Sequence, residues 1–519
     1  MMDKESVYLN QKERYQFHPI KQIALILSWF CSNIFQIKIE WPRLQSYDRK
    51  DRQMELLNHL LQNLNDFLYG NILIALLIIT GIYFTIRTKF VQLRLLPEAC
   101  RILNEKTSKE GGVSSFQALM ISTASRVGTG NIAGVAAAIA AGGPGAIVWM
   151  WILAIIGSAS AFIESTLSQV YKTKDGEGYR GGPAYYIEKA LGMRWLGIIF
   201  AILLIACFAI GFNALQSYNV SSAFEVYAAT EQTKKIVSII VGIVLAAATA
   251  YTIFGGVHRI GIISSAVVPV MAILYILLGA FITIRNIHLM PEIFSNVFQD
   301  AFNFKAFAGG IAGTCVMYGI KRGLFSNEAG MGSAPNASAA ADVSHPAKQG
   351  LVQMLSVYID TLIICTTTAM MLLVYGVEDG LTGMPYVQAA VSSEVGNWGI
   401  HFITVSILLF AFSSLIGNYS YAESNLKFIC DNKVVVFIFR VACLIPVFFG
   451  ALASFGTVWD LADVLMGFMA IVNIFAILLL GGVACKTLKD YSEQKREGKD
   501  PKFNPRKLGI KNTECWDEE

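Results

Sequence analysis

Long apolar runs separated by short polar stretches make up most of the chain. A membrane-spanning helix needs about 20 mainly apolar residues, and about eleven runs reach or approach that length. Their apolar residues are continuous rather than alternating, which indicates helices instead of barrel strands. The pattern therefore predicts an all-α polytopic membrane protein, with spans at 66–86, 118–141, 146–170, 195–214, 236–254, 260–284, 301–320, 352–375, 400–422, 434–452 and 461–483.

Basic residues gather on one side of the predicted membrane if these spans alternate in direction. The basic residues of these loops are Arg87, Lys89, Arg94, Arg101, Lys172, Lys174, Arg180, Lys189, Lys427, Lys433, Lys486, Lys489, Lys495 and Arg496. The opposite side carries Glu378, Asp379 and Glu394. Because basic loops stay in the cytoplasm, the pattern predicts a cytoplasmic carboxyl terminus.

Composition agrees with a membrane protein and argues against several other classes. The chain is 54% hydrophobic and only 15% charged, and its net charge of +4 does not suggest a nucleic-acid partner. The nine cysteines form no C-x-x-C pair and the six histidines no H-E-x-x-H motif. We therefore expect no metal or redox cofactor, and no enzymatic activity.

Two of the predicted spans are interrupted by glycine and polar residues. In the second span, Gly128, Thr129, Gly130 and Asn131 follow Arg126 at the expected midplane. Such residues are costly in lipid unless the backbone faces protein or a wet cavity. An unwound joint between two half-helices would expose carbonyls for a cation and amides for a carboxylate. Tight packing through small residues is the alternative.

The seventh span carries a matching interruption. Thr314, Met317 and Gly319 lead into a segment at 320–335 that is too polar to cross lipid as a simple helix. Taken alone, this segment could equally be a loop after Gly319. Two interrupted segments five spans apart indicate an inverted-repeat transporter with its site at the repeat interface.

This pairing predicts the domain organisation. The predicted parts are an atypical extension at 1–53, a peripheral helix and basic loop at 54–117, five-helix repeats at 118–284 and 301–483, their connection at 285–300, and a cytoplasmic tail at 484–519. The apolar stretch 23–39 could be an extra span, an interfacial helix or a signal-like segment. Because Met54 reads as a natural start, we expect transport to need nothing before it.

Four blocks of sequence resemble a known family. They are Ser125-Arg-Val-Gly-Thr-Gly-Asn-Ile-Ala-Gly134, Gly181-Gly-Pro-Ala-Tyr-Tyr186, Arg322-Gly-Leu-Phe-Ser-Asn-Glu-Ala-Gly-Met-Gly-Ser-Ala-Pro335, and Asp360-Thr with Cys365-Thr. Over roughly residues 54–486, the chain resembles the sodium:alanine (alanine/glycine:cation) symporter family. The resemblance implies a leucine-transporter-type fold, with two five-helix inverted repeats, and cotransport of alanine or glycine with sodium.

The resemblance also implies a set of binding residues. Those expected to line the substrate pocket are Gly128, Thr129, Gly130, Asn131, Gln216, Thr314, Met317, Gly319 and Trp459. The chain reads Gln-Ser-Tyr-Asn from Gln216, whereas the family places the asparagine nearer the glutamine, so the role of Asn219 stays open.

A sodium site is implied by the same fold. Its ligands would be the carbonyls of Ala124 and Val127 and the hydroxyls of Ser413 and Ser414, which suit a hard cation. The two serines lie in the middle of an apolar helix. They could instead form hydrogen bonds back to their own helix.

Charged residues inside the spans are candidates for coupling or gating, because intramembrane charges are costly. Glu164 could pair with Arg126, and Asp360 could tune ion coupling, although a structural hydrogen bond or salt bridge is the stronger expectation for both carboxylates. Lys321, Arg322 and Glu328 could gate the cytoplasmic side by changing partners, with ordinary loop solvation as the alternative. The block Gly181–Tyr186 is expected to form a tight turn.

These features predict secondary active transport by alternating access in the cell membrane. Sodium would be the coupling ion, no cofactor would be needed, and the partners would be alanine or glycine, sodium and the lipid bilayer. A proton-coupled amino-acid transporter of the same fold is the alternative. A channel would need a continuous polar path across the membrane, and an intramembrane enzyme would need a set of catalytic residues. The sequence contains neither pattern.

Overall fold

The computed structural model describes residues 49–105, 112–176, 178–303, 311–378 and 380–516. The apolar stretch 23–39 and Asp379 lie outside these residues. Residues Leu60–Glu519 belong to one unit, which contains every candidate site residue. The first helices are α1 (Arg49–Phe67), a π-helical turn (Leu68–Ile72), α2 (Leu73–Arg87), α3 (Val91–Arg94) and α4 (Leu96–Ile102).

The next part of the chain contains the first interrupted helix. Its elements are α5 (Ser115–Arg126), a 3₁₀ turn (Thr129–Asn131), α6 (Ala133–Gly142), α7 (Ala146–Val170), strands β1 (Thr173–Asp175) and β2 (Gly178–Arg180), α8 (Pro183–Leu191), α9 (Arg194–Ile205), a π-helix (Ala206–Phe212), α10 (Asn213–Phe224), a 3₁₀ turn (Glu225–Tyr227), α11 (Glu231–Ile253) and α12 (Gly256–Arg285). The two strands form an antiparallel hairpin with Thr173 opposite Arg180.

The remaining part contains the second interrupted helix. Its elements are a 3₁₀ turn (Ile287–Leu289), α13 (Met290–Ala301), α14 (Ile311–Asn327), α15 (Ala334–Ala340), α16 (Pro346–Val357), a π-helix (Tyr358–Cys365), α17 (Thr366–Tyr375), α18 (Gly383–Val395), α19 (Asn397–Ile429), α20 (Lys433–Gly450) and α21 (Phe455–Arg496). Helix α21 continues well past residue 483, where the last span was predicted to end.

Nine helical stretches in the described part of the chain are long and apolar enough to cross a membrane. They are Glu55–Arg87, Ala146–Val170, Arg194–Tyr227, Glu231–Ile253, Ala266–Arg285, Pro346–Tyr375, Asn397–Ile429, Lys433–Gly450 and Phe455–Arg496. The two interrupted helices are absent from this set because each is divided into halves. The all-α polytopic fold is confirmed, whereas eleven crossings and the repeat boundaries stay predictions.

Local chemistry explains where the first interrupted helix begins and breaks. The Ser114 hydroxyl accepts the Gln117 N–H over 3.1 Å, and the Gln117 side chain accepts the Ser114 N–H over 2.8 Å. This capping box starts α5. The helix ends when Val127 (φ −75°, ψ 87°) leaves the helical region. We call residues 127–132 the first break.

The second break, residues 328–333, has a left-handed backbone at three positions. The φ angles are 55° at Glu328, 84° at Gly330 and 89° at Gly332. Glycine adopts such angles without steric cost, which explains the two glycines. A Cβ atom on Gly332 would also lie 2.8 Å from Asn473 Cγ. The break therefore depends on glycine for conformation and for space.

The two interrupted helices lie side by side and in opposite directions. A Cβ atom on Gly142 would be 2.9 Å from Tyr318 Cβ, and one on Gly130 would be 2.6 Å from Phe325 Cδ1. As the chain advances from Gly130 to Gly142, its neighbours in α14 move back from Phe325 to Tyr318, so the two helices are antiparallel. This arrangement brings both breaks into the protein interior, where α7, α10, α19 and α21 surround them.

The cytoplasmic face of the predicted topology carries two features that differ from simple loops. Gly182 (φ 139°) makes the expected turn, but Pro183 then begins α8 in its first turn. The tail after α21 packs on the protein. The Phe503 N–H donates to the Ser344 carbonyl, and the Trp516 indole N–H to the Gln169 carbonyl, each over 3.0 Å.

Candidate functional site

The first break presents backbone amides to side-chain acceptors. The Gly128 N–H donates to Asn131 Oδ1 over 3.0 Å, and the Thr129 N–H donates to Gln216 Oε1 over 3.1 Å. All four residues are buried. The structure therefore brings together Gln216 and the glycine-rich segment, which are far apart in sequence. These N–H groups lie just before α6, where a helix favours negative charge.

The glycines of the first break leave no room for side chains. A Cβ atom on Gly128 would overlap Ser414 Oγ and lie 2.9 Å from Gln216 Nε2. At Gly130, the nearest atoms belong to the Phe325 ring. Both glycines are therefore required by the close approach of α10, α14 and α19.

Aromatic rings from three helices cover one side of the first break. The Phe325 ring lies 4.7 Å from that of Phe212 and 5.2 Å from that of Trp459, between ring centroids. Trp459, which the resemblance implied for the substrate pocket, thus lies beside the break. Phe325 and Phe212 were missed, because an aromatic residue in an apolar helix gives no distinct signal in the sequence.

Asn131 and Asp360 form one buried polar cluster. The Asn131 amide donates to Asp360 Oδ1 over 2.7 Å and to Ser326 Oγ over 3.0 Å. The Ser326 hydroxyl donates to the other Asp360 oxygen over 2.5 Å. Asp360 therefore has hydrogen-bond partners on both interrupted helices, in line with the structural role expected for it.

The serine pair of α19 faces the end of α5. Both hydroxyls donate to the Phe410 carbonyl, over 2.8 Å from Ser413 and 3.1 Å from Ser414. Ser414 Oγ is also 3.5 Å from the Val127 carbonyl oxygen. The bonds back to the helix are therefore present. Because each hydroxyl oxygen keeps lone pairs, they do not prevent cation binding.

Arg126 pairs with Glu328 rather than with Glu164. Arg126 Nε lies 3.8 Å from Glu328 Oε2, and both side chains are buried. Glu164 instead accepts hydrogen bonds from the Gly330 N–H over 3.2 Å and from the Asn473 amide over 2.7 Å. The expected pairing of Glu164 with Arg126 is corrected, since Glu164 faces the second break and Arg126 reaches Glu328 from the end of α5.

Lys321 and Arg322 pair with Asp463, whereas Glu328 pairs with Arg126. Lys321 Nζ is 2.8 Å and Arg322 Nη2 is 2.5 Å from Asp463 Oδ2. The Arg322 guanidinium also lies 4.2 Å from the Trp459 ring centroid. Asp463 was missed, although a carboxylate inside an apolar helix is a signal that could have identified it.

Three expected pocket residues lie away from the first break. A Cβ atom on Gly319 would be 2.6 Å from Trp149 Cβ, so this glycine serves the close packing of α14 on α7. Met317 and Thr314 precede Phe325 by eight and eleven residues, or about 12 and 16 Å along a helix. Both side chains are only half-buried. The structure does not bring these three residues to the break.

Two further asparagines, Asn418 on α19 and Asn213 on α10, connect the end of α5 to these two helices. The Ser125 hydroxyl donates to Asn418 Oδ1 over 2.7 Å, and the Asn418 amide donates to Asn213 Oδ1 over 3.1 Å. Asn219 instead donates to the Leu215 carbonyl of its own helix over 2.9 Å. The Asn219 side-chain oxygen has no hydrogen-bond partner among the described residues, so a role in binding stays a prediction.

Known proteins resemble this chain along most of its length. A profile of the sodium:alanine symporter family matches residues 54–505. The amino-acid carrier protein AlsT of Bacillus subtilis is 49% identical over 463 residues, covering 89% of this chain and 98% of that protein. The probable sodium/glutamine symporter GlnT of the same organism is 49% identical over 467 residues, covering 89% and 96%.

A third relative is the putative sodium/proton-dependent alanine carrier protein YrbD of Bacillus subtilis. It is 42% identical over 475 residues, covering 88% of this chain and 97% of that protein. The match to the family begins at Met54, where the resemblance was placed. The protein is therefore an integral membrane transporter for sodium-coupled amino-acid symport rather than an enzyme, and it belongs to the sodium:alanine symporter family.

Proposed function

We propose that this protein couples inward movement of sodium to uptake of alanine or glycine across the cell membrane by alternating access. The observation that carries the proposal is the first break itself. It offers backbone amides before α6 that are bonded only to neutral side-chain acceptors, carbonyls at the end of α5, and glycines covered on one side by aromatic rings. This combination suits a small zwitterion bound beside a cation.

The substrate carboxylate would bind the amides that precede α6. The Thr129 N–H now donates to Gln216 Oε1 over 3.1 Å. A carboxylate would replace this neutral acceptor with a charged one, and hydrogen bonds to charged groups are stronger. The Gln216 amide would then turn its N–H groups toward the same carboxylate.

The space around the break favours a small side chain. Gly130 already contacts the Phe325 ring, and Trp459 and Phe212 close the same side. A methyl group or a hydrogen fits such a pocket with little displacement of the rings, whereas a long side chain does not. The small space therefore favours alanine and glycine over the glutamine in the name of the relative GlnT.

Sodium would bind between the end of α5 and the serine pair of α19. The carbonyls of Ala124 and Val127 and the hydroxyls of Ser413 and Ser414 would supply oxygen ligands. The carboxyl end of α5 carries the negative end of its helix dipole, which favours a cation there. Sodium and alanine would thus occupy neighbouring sites, and by linkage each would tighten binding of the other equally.

The protein is packed differently toward its two faces, above and below the first break, which supports alternating access. Trp459, Phe325 and the Arg322–Asp463 pair cover the side reached by α14 and the start of α21. On the opposite side, a cavity of about 440 Å³ lies beside α15, and its lining includes Asn336, Tyr421 and Glu423. In the predicted orientation this cavity opens to the cytoplasm, which is also where we place the carboxyl terminus.

Uptake into liposomes tests the proposal directly. Purified protein should accumulate labelled alanine when an inward sodium gradient is imposed, and an excess of unlabelled glycine, but not glutamine, should reduce the uptake. A pH gradient in sodium-free buffer tests the proton-coupled alternative, since the relative YrbD is named a putative sodium/proton-dependent alanine carrier. Uptake driven by that pH gradient alone would contradict sodium coupling.

A further inference from the structure

Gly330, in the middle of the second break, has both backbone polar groups bonded to side chains of other helices. Its N–H donates to Glu164 Oε1 on α7 over 3.2 Å, and its carbonyl accepts from the Asn473 amide on α21 over 2.9 Å. The φ angle of 84° takes this residue out of the helical hydrogen-bond pattern. In a buried segment such groups need other partners.

Asn473 connects these partners to each other. Its amide nitrogen donates to the Gly330 carbonyl and also to Glu164 Oε2, the latter over 2.7 Å. The Tyr186 hydroxyl on α8 donates to Asn473 Oδ1 at close range. Since a side-chain amide has two N–H groups and one acceptor oxygen, every polar group of Asn473 is used and its orientation is fixed.

The closed network is fully inside the protein. Glu164, Asn473 and Tyr186 all have an exposed fraction of 0%. In a low-dielectric interior, a satisfied polar network is rigid, whereas loss of one member leaves the others unpaired at a large cost. The network therefore fixes the backbone of the second break from two sides, through α7 and through α21.

We propose that Asn473 is a positioning residue for transport, which holds the second break in one conformation while α14 and α15 tilt on either side of it. This inference rests on the proposed function, because it concerns the rate at which that function proceeds. Asn473 has no hydrogen bond to the first break in the described residues. Its loss should therefore slow the conformational cycle and leave alanine affinity nearly unchanged.

Exchange of the carboxylate and the amide gives a sharp test. Asn473→Asp alone sets two carboxylates against each other at a contact that now measures 2.7 Å. In the double variant Glu164→Gln/Asn473→Asp, the glutamine accepts the Gly330 N–H and donates to the new aspartate, which still accepts from Tyr186. Only the Gly330 carbonyl loses its donor. Gly482→Ala on the same helix is the control, since its Cβ would meet nothing within 4 Å.

The measured quantities are the maximal rate and half-saturating alanine concentration of sodium-driven uptake. Asn473→Asp should lower the maximal rate at least about tenfold, the loss expected from one hydrogen bond to a charged group. The double variant should recover about threefold or more of that loss, and half-saturation should stay within about twofold. Tyr186→Phe, a mild change, should reduce the rate about threefold because it releases only the amide orientation.

Several results would overturn the inference. They are a double variant no faster than Asn473→Asp, normal uptake in Tyr186→Phe, or a main effect on half-saturation. Thermal unfolding of the purified variants separates this inference from the proposed function, because it needs no transport. If the wild type transports no alanine, the proposed function is wrong. Equal melting temperatures for all variants would instead show that the hydrogen bonds of Asn473 do not stabilise the second break.

Discussion

The carboxylate of Asp463 on α21 binds the guanidinium of Arg322 on α14 over 2.5 Å, inside the protein. The same carboxylate oxygen lies 2.8 Å from Lys321 Nζ. One buried carboxylate therefore pairs with two cations and joins α21 to α14 beside Trp459. In the proposed cycle these contacts close the outer side of the first break, and they must separate for that side to open.

Removal of the Asp463 charge should destabilise the protein strongly. Asp463→Asn leaves Lys321 and Arg322 buried without the carboxylate that contacts both of them, a loss of about 3–5 kcal/mol in the free energy of unfolding. Asp460→Asn makes the same chemical change one turn earlier, where the carboxylate hydrogen-bonds the Asn65 amide over 2.9 Å and acts on Lys321 and Arg322 only from beyond ion-pair distance, so it should cost less. Thermal unfolding in detergent measures both. Equal melting temperatures for the two variants would show that the ion pair contributes little.

A methyl group at Gly130 should abolish uptake while the protein still inserts and folds. Its Cβ would lie 2.6 Å from Phe325 Cδ1, so the ring must move into the space proposed for alanine. Gly456→Ala is the control, because nothing lies within 4 Å of its Cβ. Labelled alanine uptake, normalised to inserted protein, distinguishes the two. Normal transport by Gly130→Ala would place the pocket elsewhere.

Loss of the Ser414 hydroxyl should weaken activation by sodium more than alanine binding at saturating sodium. Its oxygen lies 3.5 Å from the Val127 carbonyl oxygen, where the cation is proposed to bind. The loss of one ligand should raise the half-activating sodium concentration about tenfold. Ser406→Ala, two turns earlier on α19, makes the same chemical change away from the break. A sodium dependence shared by both variants and the wild type would argue against this ion site.

His345 should make the protein less stable as the pH falls. It lies just before α16, where Nδ1 accepts the Ala347 N–H and Nε2 is 3.2 Å from Asp490 Oδ2. Burial lowers the pKa of His345 below its ordinary value of 6.5, and the Asp490 carboxylate opposes this only in part. The unfolded chain therefore takes up the proton first.

The stability from His345 is complete above pH 6.5 and is lost as the pH falls below that value toward the lower folded pKa. Melting temperatures between about pH 7.5 and pH 5.5 should fall more in the wild type than in His345→Gln. His401→Gln, on an exposed histidine, serves as the control. If His345→Gln shows the same pH dependence as the wild type, other groups cause it.

The sequence alone predicted the helical membrane fold and the two interrupted helices. Both follow from local properties, since apolar runs must be helical in lipid and glycine with polar residues cannot continue as a simple span. The same local reasoning placed the Gly128–Asn131 segment at a break and singled out Glu164 and Asp360 as buried carboxylates. Family resemblance then added Gln216 and Trp459, which the structure places beside the first break.

Only the tertiary structure decided which of these residues meet. Arg126 pairs with Glu328, Asp463 takes both Lys321 and Arg322, and Gly319 packs against α7. Such contacts depend on the rotation and height of each helix, which hydropathy does not encode. Asn473 illustrates the limit most clearly, because a lone asparagine in an apolar helix has meaning only once Glu164, Gly330 and Tyr186 are seen around it.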